Sequence, residues 1–425
     1  MRIPLIRYAA SALALAMAVA TPAHAQSLDA LIEQALSGAP TIEAARARED
    51  AARAAADAAR AERGPSLTLE GQVGAGRLDP GGYFGLSADD VYPRAATATF
   101  EWPLFTGGRT GSAIRAADLG AEVAALQTRM AASSLRVDIA GAYAGGIAAA
   151  RMVQHYEALV ATLDEAVRQA KLIFKAGDGT STEVAQAEAR LAEARGGLAG
   201  ARADYAAALG QLGALVGAPV VPDDSLPGLP FTPASQDEAV AAALRDNPAM
   251  IAAERAVALA DAKRSGAKAG AMPVIGAYAE GATVRDQFFP GYKGDSASVG
   301  LRARWTVFDN GRTGAAVRGA DADLRAAMAD RDQRRLVVQQ QAATAFDQLV
   351  AARAMLNAAQ ARTDAAVQAE RGTMLEVKAG AQPQLAALDA ERETILARAA
   401  LARAEGQLLV AAYRLRAVCG MDGDK

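Results

Sequence analysis

Few residues in this chain could perform acid–base, nucleophilic or metal chemistry. Cys419 is the only cysteine, and His155 is the only histidine beyond residue 25. Zinc sites need clustered His and Cys ligands, so neither a metal site nor a disulfide is predicted. His155 stands beside Tyr156 in a helical pattern, where a surface or seam position is far commoner than a ligand position. Phosphate-binding glycine loops and nucleophile elbows are also missing, so we predict no enzyme activity and no cofactor.

The segment 1–25 has the features of a secretory signal peptide. Arg2 and Arg7 precede an apolar run over 8–20, and small residues follow up to a cleavage point after Ala25. An N-terminal membrane anchor is the alternative, but it needs about 20 apolar residues, more than this run provides. Loss of both arginines would change the formal charge from −3 to −5. An acidic chain without a basic block is not expected to bind nucleic acid.

One unit is repeated within the chain. The stretch "WPLFTGGRTG" at 102–111 recurs as "WTVFDNGRTG" at 305–314. This similarity, with further matches on either side, predicts a first structural repeat over 26–217 and a second over 236–425. Five prolines lie between the repeats, so 218–235 is predicted to be a linker.

Each repeat contains two runs in which apolar and polar residues alternate, as in half-buried strands. The runs cover about 66–78, 93–106, 273–285 and 295–308. A soluble sandwich would show the same alternation, but runs of roughly 10–13 residues suit a tilted membrane strand. Trp102 and Trp305 stand at matching positions near the ends of these runs, as a membrane-interface belt requires. The connecting loops add further aromatic residues: Tyr83, Phe84, Tyr92, Phe288, Phe289 and Tyr292.

Four strands per chain have a consequence for assembly. They cannot close a barrel around water, and an open sheet edge cannot face lipid. Several chains must therefore share one barrel. Eight strands from two chains would leave an interior filled by side chains, whereas twelve strands from three chains would leave a lumen.

Long helices account for most of the remaining chain. Residues of about 109–176 and 312–379 lack proline and keep helical spacing, and at 1.5 Å per residue each helix would be roughly 100 Å long. Returning helices are predicted at about 182–217 and 384–419, where large and small apolar residues alternate as in a coiled-coil seam. The glycine turns between them predict antiparallel hairpins.

This order of elements resembles that of the TolC-type outer-membrane efflux and secretion channels. The resemblance runs from "SLDALIEQALSGAP" through "DEAVAAALRDNPAM" to the end of the chain. It implies a mixed α and β membrane protein, a homotrimer whose twelve-stranded β-barrel lies in outer-membrane lipid. A twelve-helix periplasmic α-barrel of long antiparallel coiled-coil hairpins would continue it. The hairpin tips would dock onto a periplasmic adaptor (membrane fusion) protein, which an inner-membrane pump of RND or ABC type supplies.

The same resemblance assigns roles to the two hairpin tips. The stretches "AGDGTSTEVAQA" and "AGAQPQLAALDA" match the tips of the family. Gly177 and Asp178 in the first tip, with Gly380 and Gln382 in the second, are therefore candidate adaptor contacts.

Glu183 and Asp389 are candidate entrance residues on the same grounds. Glu183 stands where the family is usually acidic, and Asp389 matches the second of two aspartates that narrow the entrance, while Ala386 replaces the first. Repeated around a symmetry axis, such carboxylates would repel anions and attract cations. The alternative is a solvated helix face. Where some members clamp the entrance with tyrosine and arginine, this chain has Val377 and Gln382, so its closing network is expected to differ.

The sequence thus predicts a passive outer-membrane exit duct that extends into the periplasm. The duct would serve a tripartite efflux pump or a type I secretion system and carry drugs, small molecules or protein. A periplasmic coiled-coil adaptor or scaffold is the alternative function. Such a protein would share the export signal and the hairpins, but it would not need four amphipathic strands with belt tryptophans.

Overall fold

A computed structural model of the protein describes residues 25–79, 81–82, 88–287, 289 and 291–422. The predicted signal peptide, apart from Ala25, lies outside the described residues, as do the loop residues Tyr83, Phe84 and Phe288. Within the described part of the chain, no helix combines the length and the apolar character needed to cross a membrane.

Among the described residues, helices and strands follow the same order in both halves of the chain, apart from the short strands β3 and β4 of the first half. The described helices are α1 (Leu28–Gly38), α2 (Pro40–Ala61), α3 (Arg109–Ala176), α4 (Ser181–Val216), α5 (Gln236–Asp246), α6 (Pro248–Ala269), α7 (Arg312–Lys378) and α8 (Gln384–Val418). The described strands are β1 (Ala25–Gln26), β2 (Ser66–Val73), β3 (Gly76–Leu78), β4 (Asp89–Val91), β5 (Arg94–Phe105), β6 (Val221–Pro222), β7 (Val274–Arg285) and β8 (Lys293–Arg304).

The two long helices extend over 68 residues in α3 and 67 residues in α7. Their ends lie within one residue of those expected from the sequence. Neither helix contains a proline, and each is followed by a glycine with positive φ, Gly177 after α3 and Gly380 shortly after α7. Glycine adopts this left-handed conformation without a Cβ penalty, which is why the helices end there.

Two of the expected strands have different bounds in the structure. The run at 66–78 is broken into β2 and β3, because its neighbour across the sheet at the break is Pro93, which has no N–H to donate. A bond from Gly74 N to Pro93 O, 2.8 Å long, spans this point. The run at 295–308 ends at Arg304, since its partner β7 begins at Val274 and leaves the following residues unpaired.

The principal sheet has four antiparallel strands in the order β2-β5-β7-β8. Strands β2 and β5 come from the first repeat, and β7 and β8 come from the second. The central pair β5 and β7 joins the repeats with a regular register from Arg94↔Arg285 to Pro103↔Gly276. Strands β2 and β8 are therefore the two edges of the sheet.

The chain forms two compact units that do not coincide with the two repeats. Each unit combines equivalent parts of both halves of the chain. Among the described residues, the first unit consists of 25–40, 132–236 and 344–417, and the second of those within 41–131, 237–343 and 418–422.

In the first unit, the hairpin helices pack through apolar seams. One cluster joins three helices, with Leu159, Leu163 and Val167 from α3, Ala187, Leu191 and Ala194 from α4, and Ile395 from α8. The expected linker is partly ordered in this unit, because β6 pairs in parallel with β1. Tyr143 of α3 also donates a hydrogen bond of 3.3 Å to the Ser225 carbonyl in the same segment.

In the second unit, α5 and α6 pack around the end of the chain. Asn247 caps α6 through the Ala249 and Met250 amides, and its side-chain amide donates to the Val418 carbonyl at 2.7 Å. Cys419 is fully buried beside α5, with Sγ 3.5 Å from the Ala239 carbonyl oxygen. Burial raises the pKa of the Cys419 thiol to about 11, and the nearby carboxylate of Asp246 adds to the effect. This thiol is therefore a structural rather than a reactive group.

Candidate functional site

The four-stranded sheet has one apolar and one polar face. Residues paired across the strands point to the same side, so each row of partners belongs to one face. The apolar face carries Leu67, Leu69, Ala96, Ala98, Phe100, Trp102, Ala277, Ala279, Ala297, Val299 and Leu301. The polar face carries Ser66, Thr68, Glu70, Thr97, Thr99, Glu101, Tyr278, Glu280, Ser296, Ser298 and Arg302.

The apolar face is exposed rather than packed against a core. Leu69 on β2 is 76% exposed and Val299 on β8 is 84% exposed. Large apolar side chains at a water-facing surface would be unfavourable by roughly 25 cal/mol per Å². In the soluble-sandwich alternative this face would be covered by a second sheet, and the described residues provide none. The geometry therefore favours a face that contacts lipid.

The height of this apolar face approaches that of the apolar band in membrane barrels. Eight residues separate Arg94 from Trp102 on β5, which at 3.3 Å per residue is roughly 26 Å along the strand. A strand tilt of about 40° would reduce the height to roughly 20 Å, against roughly 25 Å for the apolar band of membrane barrels. One end of the band carries tryptophan, and the other carries Arg94, Arg285 and Lys293 in a single row.

Both predicted belt tryptophans make the same hydrogen bond. The Trp102 Nε1–H group donates to the Arg63 carbonyl at 3.2 Å, and the Trp305 Nε1–H group donates to the Ala271 carbonyl at 3.1 Å. Arg63 and Ala271 are equivalent positions just after α2 and α6, each two residues before a proline. Each indole therefore joins a helix end to a strand end while its ring remains half exposed, as expected of an interfacial side chain.

The polar face holds an interaction between strands of different repeats. Arg302 of β8 lies 3.2 Å from the Glu101 carboxylate of β5, and its guanidinium stands 4.6 Å from the centre of the Tyr278 ring on β7. These groups are half exposed, so the ion pair is worth little in stability. They make this end of the polar face charged and hydrated.

The two hairpin tips share one turn geometry. Gly177 N donates to the Phe174 carbonyl, and Asp178 N donates to the Ile173 carbonyl. In the second tip, Gly380 N donates to the Val377 carbonyl, and the next amide donates to the Glu376 carbonyl. Both glycines have positive φ, and Asp178 and Gln382 are exposed beside them.

Glu183 has a structural role that sequence reasoning missed. Its backbone N–H donates to Thr180 Oγ1 at 3.2 Å, and its carboxylate accepts from the Thr180 backbone N–H at 3.0 Å. The two residues form a capping box at the start of α4. The Thr-x-x-Glu spacing at 180–183 is the sequence signal that could have identified this role.

We expect Thr180→Ala to loosen the first turn of α4. Loss of a threonine cap costs about 1 kcal/mol, which corresponds to roughly fivefold faster amide exchange in that turn. Hydrogen exchange at the Glu183 amide, which donates to Thr180 Oγ1, measures the change. Thr128→Ala is the matched control, because that hydroxyl only donates to the Ala124 carbonyl inside α3. Equal exchange in the parent and in Thr180→Ala would mean that the cap does not hold the tip.

Asp389 is paired within its own chain. Its Oδ1 lies 2.9 Å from Arg190 Nη2 of α4. Arg190 also approaches Glu193 at 3.6 Å, and Arg392 approaches the same carboxylate at 3.4 Å. These four residues, the Arg190 cluster, connect α4 to α8 and carry no net charge. The candidate entrance carboxylate is therefore not a bare anion.

The two candidate entrance residues are not brought together. Glu183 lies in the first turn of α4, whereas Asp389 contacts Arg190 on that helix. Seven residues at 1.5 Å per residue separate Glu183 from Arg190, or roughly 10 Å along the axis. The two carboxylates thus lie at different levels of the hairpin.

An exposed apolar patch at the first tip was not predicted from the sequence. Leu172, Ile173 and Phe174 form the last turns of α3, and Leu172 is 66% exposed. At the equivalent place in the second tip, Leu375 is also 66% exposed. Among the described residues, no group of three or more His, Cys, Asp or Glu side chains is arranged to bind a metal.

Comparison with known proteins identifies the class to which this sheet and these hairpins belong. The solved structure of the outer-membrane channel OprN superimposes with a TM-score of 0.74, at 26% sequence identity, over 92% of this chain and 89% of that chain. The predicted fold class is confirmed: the protein has the fold of the TolC-type outer-membrane channels.

The chain belongs to the outer membrane efflux protein family, whose sequence profile matches residues 31–218 and 239–421. It is 31% identical over 260 residues to the outer membrane efflux protein BepC of Brucella suis biovar 1 (strain 1330), covering 60% of this chain and 56% of BepC. It is 26% identical over 301 residues to the alkaline protease secretion protein AprF of Pseudomonas aeruginosa, covering 69% of this chain and 63% of AprF. The matches thus span less than two thirds of both relatives. Family membership places the chain in the outer membrane, and the members are transport channels.

Proposed function

We propose that this protein is a passive exit duct that carries cargo from the periplasm across the outer membrane. The observation that supports the proposal best is the exposed apolar face of the sheet, bounded by tryptophan at one end and by basic residues at the other. Helices α3 and α7 begin at the tryptophan end of the sheet, so this end would face the periplasm. BepC is named for efflux and AprF for protease secretion, and the proposed cargo covers drugs, small molecules and protein.

The proposed assembly is a homotrimer. Strands β2 and β8 are open edges whose N–H and C=O groups need partners inside a membrane. Pairing of the β8 edge of one copy with the β2 edge of the next would satisfy them. Three copies would give twelve strands with a lumen lined by the polar face, including Glu101, Tyr278 and Arg302.

The proposed partners are a periplasmic adaptor protein and an inner-membrane pump of RND or ABC type. The adaptor would contact the hairpin tips at Gly177, Asp178, Gly380 and Gln382. The exposed apolar patch at 172–174 supports this contact, because such side chains gain free energy when a partner covers them. Glu183 and Asp389 would lie near the entrance.

We expect the detergent-solubilised protein to have the mass of three chains. Native mass spectrometry measures this directly, and a carbonate wash of membranes beforehand distinguishes an inserted channel from the alternative periplasmic scaffold, which the wash would release. A monodisperse monomer with full strand content would contradict the shared barrel, since its sheet edges would then be unpaired.

A further inference from the structure

The end of the sheet remote from the long helices carries a row of basic residues on the apolar face. Arg94 of β5, Arg285 of β7 and Lys293 of β8 are direct partners across three adjacent strands. Neighbouring strands lie about 4.8 Å apart, so the three Cα atoms span roughly 10 Å. All three side chains share the face of Trp102 and Leu301. We call these residues the basic row.

The members of the basic row differ in their ion-pair partners. Arg285 lies 2.9 Å from Asp295 and also donates to two backbone carbonyls. Within the described part of the chain, neither Arg94 nor Lys293 forms an ion pair. The other described acidic groups at this end have partners of their own: Asp90 pairs with Arg77, and Asp79, Asp89 and Asp286 accept from the amides of Gly81, Asp90 and Gly291.

The surroundings of the row match a lipid headgroup rather than a soluble anion. Next below the row stand Ala96, Thr283 and Asp295, and beyond them lies the apolar band, which suits acyl chains. Beside it, Tyr92 is exposed, and the Phe289 and Tyr292 rings meet edge to face at 5.2 Å. Aromatic side chains with basic residues at one end of an apolar band are typical of a headgroup region.

We propose that the basic row binds the phosphate groups of a phosphorylated glycolipid in the outer leaflet. The inference rests on the proposed function, since it requires the apolar face to lie in the outer membrane with the row on the outer side. Arg94 and Lys293 would hold a phosphate from two sides, and Arg285, fixed by Asp295, would present its remaining N–H groups between them. The acyl chains of the same lipid would lie along Phe100 and Val299.

The test compares lipid retention by the whole protein and by a double variant, Arg94→Gln/Lys293→Gln. Bisphosphorylated lipid A is titrated into the detergent-solubilised protein, and bound lipid is counted by native mass spectrometry. We expect the double variant to bind at least tenfold more weakly, because each cation near a lipid headgroup contributes on the order of one kcal/mol. Lipid A without its phosphates should bind the parent as weakly as the variant binds intact lipid A.

Two matched variants separate the row from net charge. Lys263→Gln/Lys268→Gln removes the same two charges from exposed positions on α6 and should retain parent affinity. Arg94→Lys/Lys293→Arg keeps both cations and should also retain it. Unchanged binding in Arg94→Gln/Lys293→Gln, or equal loss in the α6 variant, would overturn the proposal. Displacement of lipid A by millimolar inorganic phosphate would also overturn it, because the row would then be a soluble-anion site.

The assembly state of each variant is measured in the absence of lipid A. A trimer that no longer retains lipid A supports the basic row as a lipid site. Should the parent itself be monomeric, the proposed function fails independently of the lipid result. If only Arg94→Gln/Lys293→Gln loses the trimer, the proposal is decided with Arg94→Lys/Lys293→Arg. That variant should bind intact lipid A more tightly than lipid A without its phosphates, and equal binding would overturn the proposal.

Discussion

Gly107→Ala is expected to destabilise the protein by about 3 kcal/mol or more. Gly107 has a φ of +62°, and a Cβ there would lie 2.2 Å from Met272 Cβ and 3.3 Å from the Ala269 carbonyl oxygen. The left-handed conformation costs alanine about 1–2 kcal/mol, and the overlap adds about 1–3 kcal/mol because a Cβ cannot move without its backbone. A urea titration of the detergent-solubilised protein measures the free energy of unfolding.

The neighbouring glycine provides the control. Gly108 has a φ of +92°, but a Cβ there would meet nothing within 4 Å. Gly108→Ala should therefore show only the conformational cost. In the Gly107→Ala background, Met272→Gly removes the overlapping atom and should raise the free energy of unfolding. In the parent background the same substitution should lower it, by a smaller amount. Equal effects of the two glycine substitutions would show that the contact with Met272 is relieved by local movement.

Periodicity was sufficient to predict the elements that now form the membrane band and the hairpins. Alternation in β5 correctly separates Phe100 and Trp102 from Thr99 and Glu101, since a strand has only two faces. The long helices could also be predicted from the sequence, because no proline interrupts the helical pattern between Arg109 and Ala176. These features depend on neighbours in the sequence, and the duplication provides a second copy of each.

Features that depend on distant pairing could not be predicted. The basic row exists only because β5 and β7 pair in one particular register, and a shift of one residue would move Arg285 to the other face. The hydrogen bonds from Trp102 and Trp305 to helix ends also join residues that are distant in the sequence. Interface tryptophans were expected from type and position, but their acceptors are about 34 to 39 residues earlier in the chain.

The two candidate entrance residues, Glu183 and Asp389, include one contact that is local in sequence and one that depends on distant pairing. The capping role of Glu183 is local and was accessible from the spacing to Thr180. The partner of Asp389 was not accessible, because Arg190 lies 199 positions earlier and meets it only when α4 and α8 pack together. The contact changes the expected electrostatics, since removal of Asp389 exposes an arginine rather than merely deleting a negative charge.

Asp389→Asn and Arg190→Gln are expected to shift ion selectivity in opposite directions. The Arg190 cluster contains two arginines and two carboxylates, so the first variant leaves one positive charge per chain and the second leaves one negative charge. In the proposed trimer the difference between the variants is six charges around the entrance. Charges in a narrow, partly dehydrated path interact more strongly than in bulk water. We expect the cation-to-anion permeability ratio to fall about threefold or more in Asp389→Asn and to rise similarly in Arg190→Gln.

Reversal potentials in planar bilayers under a salt gradient measure these shifts. They should diminish from 0.1 M to 1 M salt, as the screening length falls from about 10 Å to about 3 Å. The double variant should return towards the parent ratio, because its cluster is again neutral. Arg195→Gln is the matched control, since Arg195 forms a 2.9 Å ion pair with Asp164 on the same hairpin. If Asp389→Asn and Arg190→Gln both keep the parent ratio, the cluster lies on a solvated helix face away from the path, and its role is to join α4 to α8.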